Sequence, residues 1–225
     1  MMKVITVTPH PDDSEFGLGG ILSLARGAGH EIITLCNEKF DEISLDEKEN
    51  VEKRKQEMLL VSQKTNSICQ FFSIDDEIDN ITNMIRKERP EIVFVPYFDD
   101  FNFIHVITTE LVRKAIYYAQ HTYKETCGYC VPQIFYYETY SSKHFEPEFI
   151  INVTTVFAQA RQNLKLHKEG IQTLPSLEYK FQIQHQLRGI QGSCHYGEGI
   201  KIEREYWFSW CQNQKIGFQF LNSLM

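Results

Sequence analysis

The chain has 225 residues, 42% of them hydrophobic and 24% charged, and a formal net charge of −7. That length fits one domain with a substantial core, and an acidic balance without a long Lys/Arg run argues against a nucleic-acid surface. No apolar run approaches the roughly 20 residues that cross a bilayer, and the stretch before Pro9 is too short for a signal sequence, so a cytoplasmic protein without a membrane span is expected.

In chain order, residues 4–8 read as a strand, 17–28 as a helix and 31–36 as a second strand. The acidic stretch 37–50 reads as a surface loop near the site. A helix is expected over 50–64, a strand over 68–72, and a helix over 76–89 with Asp76 as N-cap and Pro90 as its stop. Residues 91–96 form the fourth predicted strand. In the second half, 134–138 and 148–153 read as strands. Thr154 or Thr155 caps a helix ending before Gly170, 178–187 reads as a shorter helix, and 187–199 reads as a loop. No repeat or linker divides the sequence, so one domain over 1–225 is expected. Short buried strands alternating with helices imply parallel βαβ units, giving an α/β, Rossmann-like three-layer αβα sandwich with a mostly parallel sheet. Functional groups then gather in loops at the carboxyl ends of the strands, at 8–16, 37–48, 73–75 and 96–104.

The first of these loops belongs to the stretch TPHPDDSEFGLGG, residues 8–20. Three carboxylates in one turn repel each other, and a bound cation is the simplest compensation. His10 and Asp13, two residues apart, can turn toward one point, and a catalytic zinc needs three protein ligands plus an open position. Adjacent residues in a loop point apart, which leaves Asp12 free to act as a general base on water. Reading Gly17-Leu18-Gly19-Gly20 as a dinucleotide fingerprint would place three acids beside a pyrophosphate, so a close-packing role for the glycines is preferred. The loop after the fourth strand, PYFDDFNFIH, lies at the same sheet end. His105, at a helix start, can supply the third ligand, and the helix N-terminus favours its neutral imidazole.

These residues resemble the PIG-L/LmbE-like zinc-dependent N-deacetylases. HPDDSEFGLGG matches the opening motif, Arg54-Lys55-Gln56-Glu57 the Arg-x-x-Glu of the second helix, and PYFDDFNFIH the run that closes on the last metal ligand. Residues 134–138, 149–153 with the helix after them, and GSCHYGEG at 192–199 follow in family order. The resemblance implies zinc, or another divalent metal, on His10, Asp13 and His105, with Asp12 as the base. It implies that Arg54 holds substrate and that Tyr196 donates a hydrogen bond to the oxyanion. Asn102 and Asp100, in the ligand loop, are taken as further substrate-binding residues. The implied reaction is hydrolysis of an N-acetyl group on a small-molecule sugar or sugar conjugate, and the resemblance allows a homo-oligomer.

One departure stands out. The family usually carries His-Pro-Asp-His where this chain has Asn102-Phe103-Ile104-His105. Asparagine carries no transferable proton, and a lost positioned acid costs about 10²–10⁴ in rate. Asp12 can serve as base and then acid. Another histidine, His195 or His144, can have moved in, with His195 preferred because it adjoins Tyr196. Or the protein binds an acetylated sugar with weak or no turnover. His30, His121, His167 and His185 are expected at the surface, and the six cysteines, including Cys127 and Cys130, are expected to be reduced.

Overall fold

The computed structural model describes residues 1–38, 47–75, 78–121, 127–204 and 213–225. Its elements are β1 (Lys3–Thr8), α1 (Asp13–Gly27), β2 (Glu31–Asn37), α2 (Glu47–Thr65), β3 (Ile68–Phe72), α3 (Ile78–Glu88), β4 (Ile92–Pro96) and α4 (Phe103–Ala119). They continue as β5 (Gln133–Tyr137), β6 (Phe149–Asn152), α5 (Phe157–Leu164), α6 (Lys168–Thr173), α7 (Leu177–Gln191), β7 (Gly197–Ile202) and α8 (Gln214–Ser223).

All seven strands join one sheet in the order β3-β2-β1-β4-β5-β7-β6. The pairs from β3 through β5 are parallel, and β7 runs antiparallel to both β5 and β6. The strands are apolar on both faces, as a helix-covered sheet requires. Ile5, Val7, Val93, Val95 and Ile134 point to a core shared with α3 and α4. Their alternates Val4, Ile32, Ile92, Phe94 and Phe135 meet Leu18, Ile21 and Leu22 of α1 and Phe220 of α8. Each such buried Leu, Ile or Phe contributes about 1.5–3 kcal/mol over leaving it exposed. The expected three-layer αβα architecture is therefore the architecture of the chain.

The glycines of α1 are places of close approach. A β-carbon on Gly17 would lie 2.3 Å from the Glu138 carbonyl oxygen, and one on Gly20 would lie 2.5 Å from Val153. Gly20 and Ile21 also donate their backbone N–H groups to the buried Glu198 carboxylate, each at 2.7 Å. The sheet order reverses at β1, whose neighbours are β2 on one side and β4 on the other. That is the crevice where open α/β sheets place their ligands.

The second half corrects several expectations. Residues 187–199 are not a loop: α7 runs to Gln191 and β7 starts at Gly197. The helix expected to end near Gly170 is two helices, α5 and α6, separated at Lys165 to His167. His167 and His185 are buried rather than superficial. His185 donates from Nδ1 to the Phe181 carbonyl at 2.7 Å and pairs through Nε2 with Glu198 at 2.9 Å. Cys130 is disulfide-bonded, while Cys127 is free, since cysteine spacing alone does not fix pairing. Asp76 and most of the acidic stretch 37–50 lie outside the described residues. Among those described, no helix is long and apolar enough to cross a membrane.

Candidate metal centre

The turn between β1 and α1 brings His10 and Asp13 together. Asp13 donates its backbone N–H to the His10 carbonyl at 3.2 Å, and its Oδ2 accepts the His10 backbone N–H at 2.8 Å. A carboxylate in the first turn of a helix also suits the helix dipole. His105 arrives from the first turn of α4. That helix is capped by Asn102, whose side-chain oxygen accepts the Ile104 N–H at 2.9 Å.

Three ligand-type atoms then meet. His10 Nδ1 lies 3.0 Å from Asp13 Oδ2 and 3.0 Å from His105 Nε2, and His105 Nε2 lies 3.1 Å from Asp13 Oδ2. All three residues are buried. Tetrahedral zinc with bonds of roughly 2.0–2.1 Å sets neighbouring ligand atoms about 3.3 Å apart, so this spacing and this N,N,O donor set fit a zinc ion. Asp13 Oδ1 is a second sign: it is buried with no hydrogen-bond partner, a state that needs an electrostatic partner.

Electrostatics point the same way. Burial pushes the Asp13 carboxyl up, yet His105 and His10 outweigh it and hold it well below the usual range. Burial works against charge on His105, but Asp13 and Asp100 raise its pKa to about 10. The helix N-terminus was expected to favour neutral imidazole there. Two adjacent carboxylates overrule a dipole worth about 1 kcal/mol, and a pocket that holds a proton so firmly is built for positive charge.

Asp100 stands behind the histidine. Its Oδ2 is 3.1 Å from His105 Nδ1 and accepts the Thr139 hydroxyl at 2.6 Å. Its Oδ1 accepts the Ser141 hydroxyl at 2.6 Å and the Asn102 backbone N–H at 2.7 Å. This carboxylate–histidine pairing fixes ring orientation and tautomer.

Asp12 is buried beside the triad residues, and Arg54 of α2 donates from Nη2 to its Oδ1 at 3.0 Å. Gly170 of α6 packs so tightly here that a β-carbon would come within 2.6 Å of Asp12 Oδ2. The Tyr196 ring lies face to face with Phe157 at 3.6 Å between centroids. His195 is exposed, and its side chain has no hydrogen bond or ion pair among the described residues. His144 is also exposed and pairs with Asp99. The structure thus brings together His10, Asp12, Asp13, Asp100, Asn102, His105 and Arg54. It gives Asp100 to His105 and Arg54 to Asp12. Sequence reasoning missed Thr139, Tyr140, Ser141 and Gly170. A hydroxyl-rich Thr-Tyr-Ser-Ser directly after a strand was the available signal.

The chain is thus an α/β protein with a buried His-Asp-His group that could hold a metal ion. The family model described as "GlcNAc-PI de-N-acetylase", PIG-L, matches residues 5–116. The chain belongs to the PIG-L/LmbE-like family. It is similar in structure to the 4-carboxy-2-hydroxymuconate hydratase of Pseudomonas putida (18% identity, 91% of this chain and 97% of that one, TM-score 0.78). It is also similar to the N,N'-diacetylchitobiose deacetylase of Pyrococcus horikoshii (21%, 90% and 84%, TM-score 0.75). A conserved protein of Thermus thermophilus aligns comparably (20%, 91% and 95%, TM-score 0.72). At these identities the three establish a shared fold.

Proposed function

We propose that the protein is a zinc-dependent N-deacetylase that hydrolyses the acetamide of a small N-acetylated sugar or sugar conjugate. The observation that carries this reading is the convergence of His10 Nδ1, Asp13 Oδ2 and His105 Nε2 within 3.1 Å of one another, beside the paired Asp12. His10, Asp13 and His105 would hold the zinc, which supplies Lewis acidity that polarises a carbonyl and lowers the pKa of water toward about 7.

The chain's own residues do the rest. Asp12 is the general base: Arg54 donates to its Oδ1, and the side chain that Gly170 lacks keeps space beside Oδ2, the oxygen left for water. Arg54 therefore acts through the base rather than on the substrate. Asp100 keeps the His105 Nδ1 proton on its own side, leaving Nε2 as a lone-pair donor. Asp12 has a second task, because Asn102 has no proton for the leaving amine. Having taken a proton from water, its carboxyl returns it to the departing nitrogen, so that one group serves both half-steps.

Asn102 supports one other reading. Its oxygen is committed to the Ile104 N–H, so a zinc-containing sugar-binding protein with weak or no turnover is the competing assignment.

Metal analysis and product analysis separate these. The purified chain should hold one zinc and release acetate and free amine from N-acetylglucosamine derivatives. His10→Ala should lose the metal, and Asp12→Asn should keep it while losing at least about 10²-fold in rate. Acetate release that survives either substitution unchanged overturns the assignment. Stoichiometric zinc with no product from any acetamide leaves the binding reading.

A further inference from the structure

Tyr140 follows β5 by three residues, next to the Thr139 that bonds Asp100. Its ring stands edge-on to the His105 imidazole, with centroids 5.9 Å apart and planes at 81°. It meets Phe16 of α1 with the same separation and angle. Lys180 of α7 places its Nζ over the ring at 5.2 Å. Three elements therefore hold this side chain against the back of one metal-ligating residue. Edge-to-face contacts and a cation over the face each add about 0.5–1.5 kcal/mol to such an anchor.

The polar end of Tyr140 is placed with equal economy. Burial and the charges of Asp13 and Asp12 push the hydroxyl's pKa up, and the Asn102 side chain hydrogen-bonds to it. The orientation of the Asn102 amide is fixed, because its oxygen accepts the Ile104 N–H. Its NH2 is then the half that meets Tyr140. A phenol oxygen that accepts from an amide keeps its single O–H free to donate. The charges of Asp13, Asp12 and Asp100 act on that hydroxyl, and its ring stands against His105, which places it beside the residues where the acyl group must sit if Asp12 is to deliver water to it.

We propose that the Tyr140 hydroxyl is a catalytic group of this site, donating a hydrogen bond to the acyl oxygen as negative charge develops there. The role rests on the deacetylase reading, requires only the neutral phenol, and transfers no proton. Asn102, where the family usually carries histidine, acts as the positioning residue that turns the hydroxyl outward.

The test compares zinc-loaded wild type with Tyr140→Phe, by acetate release from N-acetylglucosamine derivatives and by calorimetric binding of acetate. Phenylalanine preserves the ring contacts, and equal melting temperature and zinc content verify that. Tyr140→Phe is expected to lower kcat by about 10²-fold, the cost of removing one oxyanion donor, with KM changed less than about threefold. It should also weaken acetate binding. Wild-type kcat in Tyr140→Phe overturns the proposal, as does a loss that tracks lost zinc. If wild type itself releases no acetate, the deacetylase reading fails and acetate binding decides. Weaker binding in Tyr140→Phe still supports the hydroxyl as the acyl-oxygen donor, and equal binding overturns it.

Discussion

Each side chain around the triad has a partner that fixes it, and the partners differ in what they fix. Asp100 holds one nitrogen of His105 while accepting from Thr139, Ser141 and a backbone N–H. Loss of such an outer partner typically weakens metal binding by 10–100-fold. Asp100→Ala is therefore expected to reduce zinc affinity by that factor, measured by chelator competition, while Asp100→Asn retains more of it because the amide oxygen still accepts from His105 Nδ1–H. Affinity unchanged in Asp100→Ala would show that the ring is oriented by packing alone. His10 and Asp13 were readable at this scale from the sequence because two residues of spacing in a turn suffice to bring them together. Tyr140 was not, because nothing local to residue 140 says that a ligand 35 positions earlier will pack against it.

At the scale of elements, the fit between α1 and the sheet depends on missing side chains. The β-carbon absent from Gly17 would stand 2.3 Å from a backbone oxygen of Glu138, and backbone cannot swing aside as a long side chain does. Overpacking of this kind costs about 1–3 kcal/mol. Gly17→Ala should lower the midpoint of urea unfolding accordingly, although alanine has the higher helix propensity. A midpoint equal to wild type would mean that α1 can slide. The junction of β1 with α3 carries a pH signature. Lys3 Nζ lies 3.0 Å from Glu88 Oε2. Burial pushes the Glu88 carboxyl up, but the hydrogen bonds from Lys3 and Gln70 together with the Lys3 and Lys87 charges outweigh it and hold it below its ordinary 4.5, and Lys3 is raised above 10.5 chiefly by that same Lys3–Glu88 bond. A depressed carboxylate stabilises the fold above its unfolded pKa and loses that contribution as pH falls through its folded value. A raised lysine stabilises below its unfolded pKa and loses its share as pH rises through its folded value. The pair therefore acts from about pH 4.5 to 10.5 and fails in acid. A pair this close to solvent is worth no more than about 1 kcal/mol and weakens with salt. Glu88→Gln should lower stability slightly at pH 7 and progressively less as pH falls below 4.5, read from denaturation curves at low ionic strength.

For the molecule as a whole, the alternation of strands and helices through residue 119 could be read along the chain because β1 through β4 are continuous apolar runs at short spacing. The last part could not. β7 opens Gly197-Glu198-Gly199, a poor strand by propensity, and it forms because β5 and β6 offer ladders on both sides and Glu198 accepts two backbone N–H groups of α1. Such pairing is a tertiary fact. The reversal of strand order at β1 also has a consequence in time. A ribosome delivers the three proposed ion-binding residues by position 105, together with the strands that carry them. Thr139 and Tyr140 emerge some 35 residues later, and Gly170, the wall behind the Asp12 carboxylate, later still. On the proposed assignment, the residues that would hold the ion are thus synthesised well before those that would orient a nucleophile.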